Sequence, residues 1–196
     1  MKLYIALFLL ALLQPALCGQ ARSAATIIRV SDGDTCTALL DDGRRLKIRL
    51  LGVDTPESYP TRYGYEEFLG KVVSRFARNM LAGKRVTLLF QTDPSGKIAT
   101  GKYGRSLAYL HLGEANYGTI LLKRGYAMVY RKYPSSRHAM YLALEDEARK
   151  KSLGIWNRLQ ARAYYRELYR RTKNEKLIGW FFKNDKAFLR QILSTD

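Results

Sequence analysis

The chain has 196 residues, 34 of them Lys or Arg against 17 Asp or Glu, a formal charge of +17 with both histidines neutral. That length suits one domain with a short appendage, and 47% hydrophobic with 12% aromatic residues excludes a disordered basic tail. A sequence pI near 10 on a foldable chain points to an anionic partner, nucleic acid or an acidic membrane surface; charge alone does not separate the two.

Residues 1–21 read as a secretory signal. Lys2 precedes an unbroken apolar run from Leu3 to Leu13, too short to span a bilayer, followed by Gln14-Pro15 and small residues. Cleavage is expected after Cys18 or Ala21, giving a secreted or periplasmic protein that meets a membrane only transiently, through this segment. Anchoring by an uncleaved signal, or by lipid on Cys18, is the alternative; the bulky Leu17 suits lipidation poorly. Cleavage leaves Cys36 as the only thiol, so no intrachain disulfide forms and the domain rests on its core. A Cys-rich zinc site is excluded, and His111 and His138 are too few and too isolated to build one.

Residues 26–31 and 35–40 read as strands joined at Asp32-Gly33, and Asp42-Gly43 leads into a third over 44–51, a three-stranded antiparallel meander. Residues 66–82 place Phe68, Leu69, Val72, Val73, Phe76, Met80 and Leu81 on one helical face, and Gly83 ends that helix. A strand over 85–91 follows, then a polar loop, then alternation from Tyr103 to Leu112 as a fifth strand. A short helix over 116–124 stops at Gly125, and a longer one over 137–152 starts behind Ser135-Ser136 as candidate N-caps. The fold class is α+β: a five-stranded OB-type barrel with three packed helices over 22–157, then a basic helical extension over 158–196.

Chemistry concentrates where the meander runs out. A two-residue turn at Asp42-Gly43 would set Asp34 opposite Leu51 and Arg49 opposite Cys36, with Arg49 a diagonal neighbour of Asp34. Asp54, Thr55 and Glu57 leave the third strand at the same end, so three carboxylates and an arginine converge. Asp-Gly-Asp alone is ordinary turn chemistry. The whole constellation demands positive charge among its carboxylates, and a hard cation with oxygen ligands answers that demand.

Three segments carry a resemblance: VSDGDT at 30–35, RLLGVDTPE at 49–57 and GKYGRSLAYL at 101–110, with GIW at 154–156 downstream. Together, over residues 24–157, they resemble the staphylococcal nuclease (thermonuclease) family. Gly101 departs from an acidic residue of the bacterial prototype, and nothing past Asn157 has a counterpart. The resemblance implies that Asp34, Asp54 and the Thr55 carbonyl hold calcium. Glu57 would activate or orient the attacking water, and Arg49 and Arg105 would grip the scissile phosphate. Lys102 and Tyr103 would contact a terminal phosphate, and Tyr130 and Tyr133 would lie near the base-stacking tyrosines. The implied reaction cleaves DNA and RNA with calcium and leaves 3′-phosphates.

Elementary chemistry agrees with those roles. Hydrolysis adds charge to an anionic phosphate, and guanidinium groups donate bidentately to its oxygens without losing their own charge. For Tyr130 and Tyr133, packing beneath the last helix competes with stacking; His138, at a helix start, reads as structural. Two other classes remain: a catalytically silent nucleic-acid-binding barrel, which needs no metal cluster, and a cationic membrane-surface protein, which explains the charge alone. The reading adopted is an exported calcium-dependent nuclease, monomeric, with single strands preferred and no protein partner implied. In its extension Arg158, Arg162, Arg166 and Arg170 form a basic stripe, expected to hold nucleic acid, while Ala161, Tyr165, Leu168 and Tyr169 form an apolar stripe that docks on the barrel.

Overall fold

Strand formation follows the alternation of apolar residues with Arg, Lys and Thr. In the computed structural model, which describes residues 21–59, 65–93, 95–133, 135–173, 182 and 185–194, β1 (Ala21–Asp32), β2 (Thr35–Leu40) and β3 (Arg45–Leu50) form the antiparallel meander. The apolar signal run and Cys18 lie outside the described residues; Ala21 opens β1 and pairs with Phe90. On the far side of β1 lies β5 (Arg85–Phe90), and β6 (Ser106–Leu112) pairs antiparallel with it. Parallel pairing of β6 with β3 closes a five-stranded barrel in the order β3-β2-β1-β5-β6, the OB-type architecture expected. Two short pieces, β4 (Val53–Asp54) and β8 (Met128–Val129), pair beside it, and β7 (Ala115–Asn116) extends β6.

The register of β2 on β3 differs from the expected one. Thr35 faces Arg49 and Cys36 faces Ile48, one residue off the two-residue-turn pairing. The hairpin loop has three residues, Asp41 to Gly43: Leu40 donates to the Arg44 carbonyl, and Gly43 takes φ +83°. A three-residue loop ends in a left-handed residue, which glycine adopts without penalty. The shift leaves Leu46 half-buried and Ile48 and Leu50 buried in the barrel, with Arg45, Lys47 and Arg49 outside.

Helix α1 (Gly70–Leu81) starts four residues later than its periodicity suggests. Its buried stripe is Gly70, Val73, Ser74, Ala77 and Leu81; Phe76 and Met80 are partly buried and Val72 is exposed. Phe68 precedes the helix and joins a second core. The fifth strand begins at Ser106, because Lys102 to Gly104 form a tight turn with Tyr103 at φ +64°. Helix α2 (Tyr117–Lys123) is capped by Asn116, whose side chain accepts from the Thr119 N–H at 2.9 Å. Neither serine caps α3 (His138–Lys150) by its side chain: Ser135 offers its backbone carbonyl to His138 N–H, and the Ser136 hydroxyl bonds that of Tyr109 at 3.0 Å.

Beyond a one-turn helix at Gly154–Trp156, Asn157 caps α4 (Arg158–Thr172), and α5 (Lys186–Leu193) follows. Ala161, Tyr165 and Leu168 pack with Phe182, Phe188 and Ile192 onto Phe68, Met128, Ala148, Ile155 and Trp156, so the apolar stripe docks on α3, the one-turn helix and β8 beside the barrel, and not on the barrel strands as expected. Tyr169 stays exposed and is not part of it. Of the basic stripe, Arg170 pairs with Glu167 at 2.8 Å and Arg162 donates to the Gln191 carbonyl at 3.0 Å. Asp185, the cap of α5, is tied to Arg149 of α3, whose guanidinium covers the Trp156 ring at 3.8 Å. No helix among the described residues is long and apolar enough to cross a membrane.

Candidate active site

The turn between β1 and β2 is built tightly enough to fix its carboxylates. A Cβ on Gly33 would stand 2.7 Å from both Thr55 Oγ1 and Val73 Cγ1, so only glycine lets the turn lie against the Thr55 loop. Asp34, buried beside it, accepts from the Thr35 hydroxyl and from the Thr55 N–H, each at 2.9 Å. These bonds bring Asp34 next to Asp54, although 20 residues separate them in sequence.

Between the two carboxylates stands the Arg49 guanidinium, ion-paired to both. Arg49 reaches Asp34 although the register sets it opposite Thr35, because Asp34 lies just past the last paired residue of β2. Arg105, at the mouth of the neighbouring β6, donates to the Lys102 carbonyl at 3.2 Å and to the Thr35 hydroxyl at 3.4 Å. Partial burial, then the like charge of Arg49, hold the Arg105 pKa below its ordinary value. Both arginines line a cleft of about 650 Å³ with Gly52, Gln91, Lys102, Tyr130 and Tyr133.

Glu57 and Glu67 are clamped to each other. The Glu57 N–H donates to the Glu67 carboxylate at 2.9 Å, and the Glu67 N–H donates to the Glu57 carbonyl at 3.0 Å. The Glu57 carboxyl is pushed up to about 7, first by desolvation, then by its hydrogen bond to Asp32 and the charge there; Arg49 and Arg105 oppose the rise. Glu67, 7% exposed, is raised further, to about 8, chiefly by burial. A carboxyl titrating near neutrality suits proton transfer.

Asp34 and Asp54 converge on one positive group, and the Thr55 carbonyl belongs to the same loop. This all-oxygen donor set fits a hard divalent cation that keeps several waters. Among the described residues no three His, Cys, Asp or Glu side chains gather as metal ligands.

Of the other candidates, Lys102, Tyr130 and Tyr133 line the cleft. Lys102 Nζ lies 4.8 Å from the centre of the Tyr103 ring, which is 76% exposed. The Tyr130 and Tyr133 rings are 6.1 Å apart; Tyr133 is open to solvent, and both line the cleft. Sequence reasoning missed three participants. Asp32 passed as a turn residue but accepts from the Ser58 N–H at 3.3 Å and helps hold the Glu57 pKa up, and Thr35 links Asp34 to Arg105. Glu67 was placed inside a helix; the Glu66-Glu67 pair ahead of an apolar run was its one available signal.

An OB-type barrel whose cleft is lined by two arginines, one of them ion-paired to two carboxylates, suits an anionic phosphate ligand. Residues 47–158 match the family described as staphylococcal nuclease homologue. The chain is 36% identical to the thermonuclease of Staphylococcus intermedius over 132 residues, 66% of this chain and 74% of that protein. It is 34% identical over 150 residues to an uncharacterized protein of Methanocaldococcus jannaschii, covering 67% and 70%. To an uncharacterized endonuclease of Haemophilus influenzae it is 25% identical over 139 residues, covering 71% and 69%. The chain belongs to the staphylococcal nuclease family.

Proposed function

We propose that this protein is an exported calcium-dependent nuclease that hydrolyses DNA and RNA, prefers single strands, acts as a monomer and leaves 3′-phosphates. Family membership supports the nuclease activity; one observation carries the site assignment. Arg49 of β3 and Arg105, the residue just before the adjacent β6, line a single cleft, and the Asp34–Asp54 pair stands directly at Arg49.

In this reading Arg49 and Arg105 hold the scissile phosphate and offset the charge that builds on its oxygens. Glu57 takes a proton from the attacking water as the water oxygen bonds to phosphorus and the bond to the 5′ oxygen breaks. Asp34, Asp54 and the Thr55 carbonyl would hold the cation. When bound, that ion supplies positive charge beside the developing phosphorane and helps lower the pKa of water. Lys102 and Tyr103 contact a neighbouring phosphate, and Tyr130 and Tyr133 offer ring faces for bases. The segment 1–21 directs export, and the arginine stripe of α4 adds charge for nucleic acid.

The purified protein incubated with single-stranded DNA and RNA, with calcium and then with excess chelator, tests this. Cleavage to 3′-phosphate ends with calcium, and none with chelator, is expected. Undiminished cutting in chelator overturns the metal assignment. Tight binding without cutting under any divalent ion identifies a silent nucleic-acid-binding barrel.

A further inference from the structure

The outer face of the meander continues away from the cleft as ordered rows. Strand pairing places Arg49, Thr35 and Asp32 in a row at the cleft, then Lys47, Thr37 and Arg29, then Arg45, Leu39 and Thr26. Arg85 of β5 extends the third row from Thr26. Uncharged side chains of β2 therefore form a lane with a continuous basic rail on the β3 side, while the β1 side presents Asp32 at the cleft, then Arg29, then Thr26 with Arg85 beyond it. A bulge in β1 between Ile27 and Arg29 turns Ile28 outward together with Arg29, adding apolar surface beside the lane.

Arg29, Arg45 and Lys47 are exposed, and no carboxylate among the described residues pairs with them. The two acids of the hairpin loop are engaged elsewhere: Asp42 with Arg44 at 2.7 Å and Asp41 with Arg85 at 2.5 Å. Alternate residues of a strand lie about 6.8 Å apart. That interval is close to the spacing of phosphates along an extended single strand. The lane begins at Thr35, whose hydroxyl bonds both Asp34 and Arg105, so it opens from the cleft without a break.

We propose that this face of β1, β2 and β3 is a second nucleic-acid site. A single strand whose scissile phosphate sits at Arg49 continues along the β2 lane, its phosphates held by Lys47 and Arg45 on one rail and Arg29 on the other. The inference rests on the nuclease reading and adds the path of the substrate beyond the cleft.

Binding to labelled single strands of about 16 nucleotides, the upper end of OB-fold site sizes, is measured by anisotropy against salt, in chelator so that nothing is cut. The protein carrying Arg29→Gln, Arg45→Gln and Lys47→Gln is compared with one carrying Arg75→Gln, Arg78→Gln and Lys123→Gln, an equal charge loss on α1 and α2. Three phosphate contacts at about 0.7 each predict that the lane variant flattens the log-affinity versus log-salt slope by about two, while the control keeps the parent slope. A trinucleotide, which the cleft alone holds, should lose far less affinity. Equal slopes in all three proteins, or equal flattening in both variants, overturns the lane. So does a loss seen only with phosphatidylserine vesicles. A parent protein that cuts nothing with calcium would sink the nuclease reading and still leave the difference in slope to be read.

Discussion

Glu67→Gln should stabilise the protein at and above neutral pH and leave it nearly unchanged near pH 4.5. The Glu67 carboxyl is buried and titrates at about 8 in the fold against an ordinary value of 4.5. Because the folded value is the higher one, ionisation weakens the fold progressively as pH rises from 4.5, and the loss is complete above about 8. At pH 7 the unfolded chain has released this proton and the folded chain has kept it. At about 1.4 kcal/mol per pH unit that difference costs on the order of 3 kcal/mol. Glutamine never ionises and keeps an oxygen to accept the Glu57 N–H. Urea melts of both proteins at several pH values between 4.5 and 9 measure the gap, which should open with pH. A gap that is the same at every pH refutes the argument. Glu67→Ala separates the two duties of this residue. It removes the penalty but also the acceptor, leaving the Glu57 N–H unpaired at about 1–3 kcal/mol, and cleavage should fall where the glutamine variant retains it.

Arg49→Lys should lower the cleavage rate on the order of 10²-fold with calcium present, because an ammonium cannot reproduce the planar fork; near-parent turnover would remove Arg49 from the reaction. Gly33→Ala should cost about 1–3 kcal/mol, since its Cβ would stand 2.7 Å from Thr55 and Val73. It should depress activity as well, because the strained turn carries Asp32 and Asp34; a parent-like melting temperature would contradict this. Truncation after Asn157 uncovers Phe68, Met128 and Trp156. At about 1.5–3 kcal/mol per large apolar side chain, this should reduce stability by about 5 kcal/mol or more and yield an aggregating product. A soluble fragment with an unchanged melt would show that the extension covers nothing essential.

The sequence by itself determined the meander and the barrel class. Alternation in RRLKIRL and the Asp-Gly turns are local, and local sterics decide which residues can turn and which can alternate. The same locality explains why α4 and its apolar face were legible: Ala161, Tyr165 and Leu168 recur at helical spacing. Register was not legible, because Asp42-Gly43 serves equally in a two- or three-residue loop, and only the closed barrel selects the pairing that puts Ile48 and Leu50 inside. Nor could periodicity reveal that Leu69 breaks the helical pattern at φ +63°, delaying α1 and freeing Glu67 to clamp Glu57. The tertiary structure alone decided which charges meet. Arg49 stands between Asp34 and Asp54, the Glu57 N–H reaches the Glu67 carboxylate, and Arg149 joins α3 to the α5 cap. Such pairings depend on distances between segments far apart in the chain, and those distances exist only once the barrel has closed.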